Sequence, residues 1–417
     1  MGGYLVNTFG CQMNRADSEY ISSLLAGAGL RRVTTVDEAS IMVVNACVVR
    51  QSAEDRAVSK VRLAEGLKLR KPDLKIILTG CMVSGDNMLR LKVKFPYVDL
   101  FLKPQYWEGL KQWMSSEGLE AREAFPVASV SSFLPIISGC DNFCSYCIVP
   151  YRRGREKSVP VEEVLAKAKA LVDKGAKEIV LLGQNVNSYG HDLNPPTDLA
   201  HLLERLSRID GLLRIRFLTN HPKDVSPHLV KAIAALPRIC EYLSLPFQSG
   251  DDEILKLMRR GYTSRQYLAL VESIRQAIPD ISLSTDVIVG FPGENRSGFS
   301  HTLDLIKKIR FDTVHVASYS PREGTWSARN LPDDVQEKGE RRREVEKVQK
   351  GIQQDINLSL LGKEMEILVE GRKKEKWWGR TRGGKLTFFP SDEDEEGKLV
   401  EVRVTAASPW SLQGERC

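Results

Sequence analysis

The most informative segment of this chain is Gly139-Cys-Asp-Asn-Phe-Cys-Ser-Tyr-Cys-Ile-Val-Pro-Tyr151. Its cysteines, Cys140, Cys144 and Cys147, are separated by three and then two residues. Three thiolates at this spacing suit one iron–sulfur cluster, whose fourth iron is then left without a protein ligand. Electron-transfer clusters are normally closed by four cysteines, so an open iron indicates a site that binds a small molecule directly.

A zinc ion and plain redox thiols are the alternatives for these three cysteines. Structural zinc is held by four ligands, yet residues 148–187 contain neither a cysteine nor a histidine. A disulfide is less favoured still. The cluster is therefore the preferred interpretation, and the zinc and redox alternatives stay open because short motifs recur by chance.

Length and composition are those of an ordinary protein of several domains. The chain has 417 residues, 42% hydrophobic and 27% charged, which is enough for two or three domains with their own cores. Its net charge of +6 fits a nucleic-acid partner without requiring one. The uncharged run 124–140 is too short and polar to cross a bilayer, and the first residues lack a basic segment followed by an apolar one. We expect no membrane contact and a cytoplasmic location, where clustered cysteines are more often ligands than disulfides.

The N-terminal part repeats one pattern, an apolar run that ends in cysteine and is followed by a polar helical stretch. The runs are residues 4–11, 41–47 and 75–81, and helices are expected over about 16–28 and 52–69. This βαβαβ order predicts a parallel sheet, whose ligands bind at the carboxyl ends of the strands. Cys11, Cys47 and Cys81 should therefore meet at one edge as a second incomplete ligand set. Three buried structural cysteines are the alternative.

The central part has the order of a partial (βα)6 barrel. A linker over 104–131 leads to a first strand around 133–137 and to the cysteine motif. Helices at 161–174 and 264–277 lie among the later strands, which are expected at 178–182, 213–218, 241–245, 281–289 and 313–318. Such barrels carry their functional groups at the C-terminal ends of the strands.

The C-terminal part begins with a charged helix over 337–354, which contains Arg341-Arg-Arg343. The helix is either a solvated connection or a phosphate contact. Strand-like alternation over 363–413 then predicts a small antiparallel β-barrel.

Three charged segments bear on an RNA partner. Arg372-Lys-Lys-Glu-Lys-Trp-Trp-Gly-Arg-Thr-Arg382 mixes cations with aromatic rings, which is typical of surfaces that bind nucleic acid, although a flexible hairpin is the alternative. Arg152-Arg-Gly-Arg155 is a second candidate for phosphate contact, or else a solvated loop. The acidic loop 392–396 should face away from RNA.

With these segments together, the chain closely resembles the radical S-adenosylmethionine (SAM) methylthiotransferases, and within them the branch that modifies prenylated adenosine in tRNA. The resemblance runs nearly end to end. Ala46 stands where the family usually has threonine, which alters no ligand position. The most specific matching segments are Gly10-Cys-Gln-Met-Asn14, Asn45-Ala-Cys47, Gly80-Cys-Met82, Gly139 to Tyr151, Leu182-Gly-Gln-Asn-Val-Asn-Ser-Tyr-Gly190 and Asp286-Val-Ile-Val-Gly-Phe-Pro-Gly-Glu294.

The resemblance implies three domains: an N-terminal methylthiotransferase domain over 1–118, a radical SAM core over 130–355 and a C-terminal TRAM domain over 359–417 that binds tRNA. It also implies two [4Fe–4S] clusters, one on each cysteine triplet, and SAM as cofactor. The expected reaction converts N6-dimethylallyladenosine at tRNA position 37 to its 2-methylthio derivative. Carbon 2 of the purine has an unactivated C–H bond, so a radical from SAM is needed to break it. The cluster on Cys11, Cys47 and Cys81 would then supply the sulfur.

Strand-end position and the resemblance together select candidate SAM contacts around the barrel mouth. Tyr146 lies within the cysteine motif, beside the expected cluster, and is assigned to the adenine, with ordinary turn or core structure as its alternative. Each of the others has ordinary turn or core structure as its alternative: Gln184, Asn185, Gln248, Ser249, Asp286 and Gly290.

The partners implied are the tRNA anticodon stem-loop that carries N6-dimethylallyladenosine, a one-electron reductant such as flavodoxin or ferredoxin, and a sulfur or iron–sulfur supply system. Two alternatives stay open. A sister methylthiotransferase would act on threonylcarbamoyladenosine in tRNA or on an aspartate of a ribosomal protein. A non-catalytic iron–sulfur regulator would bind tRNA without cleaving SAM.

Overall fold

The computed structural model describes residues 2–49, 51–120 and 128–417, which form two compact units. The first unit takes in the described residues before Ala128 together with Ser138–Asp141 and Cys147–Glu156. The second consists of Ala128–Ile137, Asn142–Tyr146 and Lys157–Cys417. The cysteine motif therefore contributes residues to both units.

The first unit is built on a parallel sheet whose described strands run in the order β2-β1-β3-β4-β5. Strands β3 and β4 are buried almost throughout because apolar clusters cover both faces of the sheet. The strands are β1 (Gly3–Phe9), β2 (Arg31–Arg32), β3 (Ala39–Ala46), β4 (Lys75–Thr79) and β5 (Leu100–Leu102). The helices are α1 (Gln12–Gly27), α2 (Gln51–Arg70), α3 (Met88–Lys94), α4 (Trp107–Ser116) and α5 (Val149–Arg153).

The predicted βαβαβ order is confirmed, with three differences. Helix α1 begins at Gln12, directly after Cys11, four residues earlier than expected. Strands β2 and β5 were missed because two or three residues carry no periodic signal. The linker prediction over 104–131 is wrong in part, since α4 forms there on the apolar positions Leu110 and Met114. Residues 121–127 of that linker lie outside the described residues.

The second unit contains six parallel strands in two hydrogen-bonded groups, β6-β9-β10 and β11-β12-β13. A bridge between Ile215 and Ile239 joins the groups, so the described strands form the predicted partial barrel. The strands are β6 (Ser131–Pro135), β9 (Glu178–Leu182), β10 (Arg214–Phe217), β11 (Tyr242–Ser244), β12 (Ser282–Val289) and β13 (Thr313–Ser318); the short strands β7 (Ile137–Ser138) and β8 (Lys157–Ser158) lie between the first two in sequence.

Helices cover this barrel, and their apolar faces share one large core with its strands. Single helical turns at Val186–Ser188 and Pro222–Asp224 follow β9 and β10. The helices are α6 (Val161–Asp173), α7 (Leu199–Leu206), α8 (Pro227–Ala235), α9 (Asp252–Leu257), α10 (Ser264–Ala277), α11 (Arg296–Ile309), α12 (Trp326–Asn330) and α13 (Lys338–Leu358).

The C-terminal part of the second unit is a closed barrel in the order β14-β15-β16-β18-β17. The prediction of a small antiparallel barrel is confirmed, except that β16 and β18 pair in parallel. Its core contains Ile367, Trp377 and Phe389. The strands are β14 (Glu364–Lys373), β15 (Lys376–Thr381), β16 (Leu386–Pro390), β17 (Leu399–Ala407) and β18 (Leu412–Arg416).

Within the described residues, no helix has both the length and the apolarity that crossing a membrane requires. The uncharged run 124–140, considered above as a span, enters the described chain at Ala128; its residues 124–127 lie outside the described part.

Candidate functional site

The three N-terminal cysteines of the first unit follow neighbouring strands at one edge of its sheet. Cys11 is the residue before α1, Cys47 follows β3, and Cys81 follows β4 after Gly80. The backbone amide of Cys47 donates to the carbonyl of Phe9, with 2.8 Å between N and O. The thiols of Cys11 and Cys47 are hydrogen-bonded to each other, and Cys81 interacts electrostatically with both. The fold thus brings together three sulfur atoms that are far apart in sequence.

A buried polar cluster fixes this edge. The side chain of Asn45, on β3, donates to the backbone carbonyl of Asn14 at 2.8 Å and to the hydroxyl of Ser18 at 3.0 Å. It accepts from the side-chain amide of Asn14 at 2.7 Å, and the other end of Asn14 lies 3.3 Å from the Cys11 sulfur. Because these amides are buried with their partners, β3 and the first turn of α1 hold Cys11 in place.

The environment makes the three thiols unequal. The hydrogen bond with the Cys47 thiol lowers the pKa of Cys11 to about 6. The same bond, together with burial, raises the pKa of Cys47. Burial raises the pKa of Cys81. Cys11 is thus the thiol of this set that ionises most readily, and it is also the exposed one.

A buried arginine lies against Cys81 in the same unit. The Nε of Arg153, on α5, is 3.2 Å from the Cys81 sulfur, and one terminal nitrogen forms an ion pair with Asp17 at 2.9 Å. The side chains of Arg153 and Asp17 are 2% and 4% exposed. The interpretation of Arg152-Arg-Gly-Arg155 as a phosphate-binding loop is therefore wrong for Arg153, which is enclosed by the protein.

The neighbours of Arg153 are also bound within the first unit. Arg152 donates to the hydroxyl of Ser84. Arg155 is exposed, but Asp141 holds its guanidinium through two bonds of 2.6 and 3.0 Å. A folded turn explains the basic cluster better than a solvated loop does.

The loop that carries the cysteine motif has a tightly packed start. Gly139 adopts φ +78, and a Cβ there would collide with the carbonyl of Arg155. The amide of Cys140 donates to the carbonyl of Gly154 at 3.2 Å. Glycine is thus required at 139 by both its conformation and the close approach of α5's C-terminal end.

The middle cysteine of the motif lies in the second unit, where it meets another buried arginine. Arg260 donates through one terminal nitrogen to the Cys144 sulfur at 3.3 Å and to the Tyr146 hydroxyl at 3.4 Å. Its other nitrogens donate to the carbonyl of Pro246 at 2.9 Å and to the hydroxyl of Tyr262 at 3.0 Å. Tyr146, predicted as an adenine contact, packs edge-on against Phe291 with 6.4 Å between ring centres.

The other candidate SAM contacts lie at the carboxyl ends of the barrel strands. Gln184 and Asn185 follow β9, and the amide of Asn185 donates to Asp224 at 2.8 Å. Gln248 follows β11 with φ +68, and its backbone amide donates to the carbonyl of Asp286 on β12 at 2.9 Å.

Two further candidates, Ser249 and Gly290, form hydrogen bonds with residues close to them in sequence. The Ser249 hydroxyl accepts from the amide of Asp251 at 3.3 Å. Gly290 follows β12 with φ +69, and its amide donates to the buried carboxylate of Glu294 at 2.9 Å. Arg341 pairs with Glu294 at 2.6 Å, so this arginine of the charged helix is not a phosphate contact.

Sequence reasoning found Gln248 but missed Asn220 and His221, which also have buried polar atoms at the same barrel end. Among the described residues, Nε2 of His221, Oδ1 of Asn220 and Oε1 of Gln248 are buried without a hydrogen-bond partner. His221 accepts at Nδ1 from the amide of Lys223, so its Nε2 carries the proton. Burial lowers the pKa of His221 to about 2 and keeps it neutral. Such unpaired atoms are the places that a polar ligand would satisfy.

Cysteine thiolates, the donors that both triplets offer, are the ligands that hold iron–sulfur clusters. Within the described part of the chain, no three Cys, His, Asp or Glu side chains converge at the spacing that one ion needs. A cubane cluster needs less convergence, because each of its cysteines binds a different iron. Gly10 and Gly80 also leave the strand ends bare, since a Cβ at Gly10 would lie 2.6 Å from that of Cys47. The glycines therefore keep side chains away from the sheet edge at which the three thiols lie.

Only some residues of the predicted RNA-binding segment in the C-terminal barrel are available to solvent. Trp377 is 5% exposed and belongs to the barrel core, and its indole N–H donates to the Ser391 carbonyl at 3.1 Å. Arg382 pairs with Glu241 at 2.6 Å. Neither is free to contact RNA, so the prediction is wrong for these two residues. Exposed cations remain in the hairpin at Arg372, Lys373, Lys374 and Lys376.

Comparison with known families assigns each part of this architecture. The model for the radical SAM superfamily matches residues 134–306, the partial barrel with its cysteine motif. A model described as Uncharacterized protein family UPF0004 matches residues 3–103, and the TRAM domain model matches residues 358–416. The fold and the cysteine motif thus define a radical SAM protein.

Curated relatives narrow the class. A protein of Dehalococcoides mccartyi strain CBDB1 is 49% identical over 100% of this chain and 98% of its own length. Relatives in Herpetosiphon aurantiacus and Moorella thermoacetica are 44% and 42% identical, each over 99% of this chain and over 96% and 98% of their own lengths. All three are named tRNA-2-methylthio-N(6)-dimethylallyladenosine synthase. The chain belongs to the family of these synthases, which confirms the resemblance seen in its sequence.

Solved structures support the fold. The radical SAM methyltransferase TsrM from Kitasatospora setae aligns with a TM-score of 0.53 at 14% identity, over 76% of this chain and 75% of that one. The cobalamin-dependent radical SAM enzyme OxsB aligns with a TM-score of 0.52 at 13% identity, over 83% of this chain and 56% of that one. At these identities the likeness concerns the fold alone.

Proposed function

We propose that this chain is a tRNA methylthiotransferase that uses SAM and two [4Fe–4S] clusters to convert N6-dimethylallyladenosine at position 37 to its 2-methylthio derivative. The observation that carries the proposal is the meeting of Cys11, Cys47 and Cys81 at one sheet edge, in a chain whose CxxxCxxC motif is a separate ligand set. One cluster is enough for SAM cleavage alone; a second, open set is what sulfur insertion adds. The names of the full-length relatives favour the prenyl-adenosine branch over the sister branches.

The six cysteines have the ligand role in this proposal. Cys140, Cys144 and Cys147 hold the cluster that binds SAM, and Cys11, Cys47 and Cys81 hold the auxiliary one. When bound, the clusters and SAM supply one-electron chemistry and a sulfur carrier. The protein supplies the thiolates, the buried arginines beside two of them, and a barrel mouth lined with polar atoms.

SAM binding is assigned to the barrel mouth. The contacts are Tyr146, Gln184, Asn185, Gln248, Ser249, Asp286 and Gly290, and the unpaired side-chain oxygen of Gln248 supports that assignment most directly. The neutral N–H of His221 and the oxygen of Asn220 are further groups that a polar ligand would engage.

The domain assignment and the partners follow from the same proposal. Domains over 1–118, 130–355 and 359–417 correspond to the three functions of sulfur transfer, SAM cleavage and RNA binding. The exposed cations of the β14–β15 hairpin and the exposed ring of Trp410 would contact tRNA. Flavodoxin or ferredoxin would supply electrons, and an iron–sulfur supply system would restore the sulfide. The cytoplasm is the compartment that holds the tRNA, the electron donor and the supply system.

The test is product analysis with tRNA that carries the prenylated adenosine. The anaerobically reconstituted protein, SAM and a strong reductant should yield, after digestion, a nucleoside heavier by one methylthio group. Cys47→Ala should stop methylthiolation while SAM cleavage persists. Cys240→Ala, a buried cysteine outside both triplets, is the matched control and should keep both activities. Cleavage of SAM by wild type without that nucleoside would move the substrate assignment to threonylcarbamoyladenosine or a ribosomal protein.

A further inference from the structure

A buried cation lies against a cysteine in each unit, and the two cations differ in how their charge is balanced. Arg153 of the first unit is paired with the carboxylate of Asp17 at 2.9 Å. For Arg260 of the second unit, no carboxylate among the described residues lies within ion-pair distance, and its partners are a thiol, two phenols and a carbonyl. Arg260 thus brings a net positive charge to its site, whereas Arg153 and Asp17 together bring none.

Arg260 is also held in place by several bonds to the protein. It is 4% exposed, and donors on each of its three nitrogens are used by Cys144, Tyr146, Tyr262 and the carbonyl of Pro246. The guanidinium additionally lies over the Tyr262 ring, 5.4 Å from its centre. The Cys144 sulfur is therefore the group at the proposed cluster site toward which this cation is directed.

We infer that Arg260 is a positioning residue that raises the reduction potential of the cluster held by Cys140, Cys144 and Cys147, through its charge and its N–H bond to the Cys144 sulfur. The inference rests on the proposed function, because it requires that this cysteine holds a cluster. On reduction the cluster takes up one electron from an external one-electron donor and gains one negative charge. A buried, uncompensated cation beside a ligand sulfur stabilises that added charge more than solvent would. A weaker reductant then suffices to start SAM cleavage.

The measurement is the midpoint potential of this cluster in the full-length protein. To remove overlapping signals, Cys11, Cys47 and Cys81 are all replaced by alanine, and the remaining cluster is titrated with dithionite and followed by electron paramagnetic resonance. Arg260→Met should lower the ratio of reduced to oxidised cluster at least ten-fold at a fixed potential, which is a shift of 59 mV toward negative values for one electron. Arg259→Met, the same change one residue away at an exposed position, should leave the potential unchanged.

Two further variants keep the inference testable if Arg260→Met fails to fold. Arg260→Lys retains the charge and Arg260→Gln retains hydrogen bonding without it, so the Gln variant should have the lower potential. Equal potentials in the two variants, or an unchanged potential in Arg260→Met, would overturn the inference and leave the proposed function intact. Failure of the parent protein to bind any cluster through Cys140, Cys144 and Cys147 would instead overturn the proposed function.

Discussion

At the scale of single residues, His221 shows how the barrel mouth keeps a titratable group neutral. It is 4% exposed, and its ring meets the Tyr262 ring edge-on with 5.8 Å between centres. Burial is the main cause that lowers the pKa of His221 to about 2, and the nearby cations Arg260 and Lys223 lower it further. A neutral imidazole with a protonated Nε2 is thus a fixed hydrogen-bond donor at any pH at which the enzyme works.

The depressed pKa of His221 predicts a loss of stability on acidification. Below the ordinary histidine value of 6.5, the unfolded chain binds a proton that the folded chain rejects until about pH 2, so the loss occurs between these values. From about pH 7.5 to about pH 5.5, this one residue should cost wild type about 1.4 kcal/mol relative to His221→Asn. Urea unfolding at the two pH values measures the difference, and His191→Asn controls for the loss of a surface histidine. A gap between wild type and His221→Asn that does not change with pH would contradict the assignment.

At the scale of elements, the ends of β1, β3 and β4 are shaped by glycine as well as by cysteine. Gly80 has φ +90, and a Cβ there would collide with the Asn45 side chain and lie 2.5 Å from the carbonyl oxygen of Ala46. The chain must therefore turn sharply between β4 and Cys81, beside the buried amide that also fixes Cys11.

Comparison of alanine variants at Gly80 and Gly29 separates the cost of a left-handed backbone conformation from the cost of collisions around the new Cβ. Gly29, after α1, has φ +84 but would place a Cβ in open space. Gly29→Ala should cost about 1–2 kcal/mol from its left-handed conformation alone. Gly80→Ala should cost a further ~1–3 kcal/mol from the collisions and also reduce iron loading on the first triplet. Thermal unfolding with iron analysis compares the two, and equal effects would show that the edge is not tightly packed.

The same elements show what could be read from sequence and what could not. Strands β9 and β13 have the predicted bounds, because short apolar runs between turn residues mark buried strands. The three N-terminal cysteines could be predicted to meet because parallel strands end at one edge. The contacts of Arg153 and Arg260 with cysteines could not be predicted, because those cysteines lie 72 and 116 residues away in sequence. No local pattern distinguishes these arginines from solvated ones.

The alternation of side chains along β15 explains why the predicted RNA contact in the C-terminal barrel was wrong for Trp377. Trp377 was predicted to contact RNA because it lies among cations, but its position on β15 faces the barrel core. Its neighbour Trp378 faces the other way and is partly exposed. Composition identified the segment as basic and aromatic, whereas the alternation of a strand decides which side chains reach solvent.

At the scale of the whole molecule, buried arginines join the C-terminal barrel to the partial barrel within the second unit. Arg214, on β10, is fully buried and donates to the carbonyl of Arg380 at 2.7 Å and to the carboxylate of Glu366 at 2.7 Å. Arg216 donates to the carbonyl of Arg382 at 2.9 Å. The C-terminal barrel is therefore fixed to the partial barrel through the guanidinium groups of two buried arginines.

This attachment predicts that replacing Arg214 lowers the free energy of unfolding more than replacing the exposed Arg403 does. Arg214→Met leaves the partly exposed Glu366 carboxylate and the Arg380 carbonyl without this partner and should destabilise the second unit by about 1–3 kcal/mol. Arg403→Met removes an exposed pair with Glu364, with side chains 61% and 52% exposed, and should cost less than about 1 kcal/mol. Limited proteolysis and thermal unfolding of the two variants measure the contrast. Similar losses would mean that Arg214 does not secure the C-terminal barrel.

In the proposed enzyme one chain holds two clusters on two separate cysteine triplets, and iron content with Mössbauer spectra measures both. The reconstituted wild type should contain roughly eight irons per chain, and alanine replacement of either triplet should leave roughly four as a [4Fe–4S] cluster. Loss of both clusters from a folded single-triplet variant, or a wild type with roughly four irons that are unaffected when Cys11, Cys47 and Cys81 are replaced, would contradict the account.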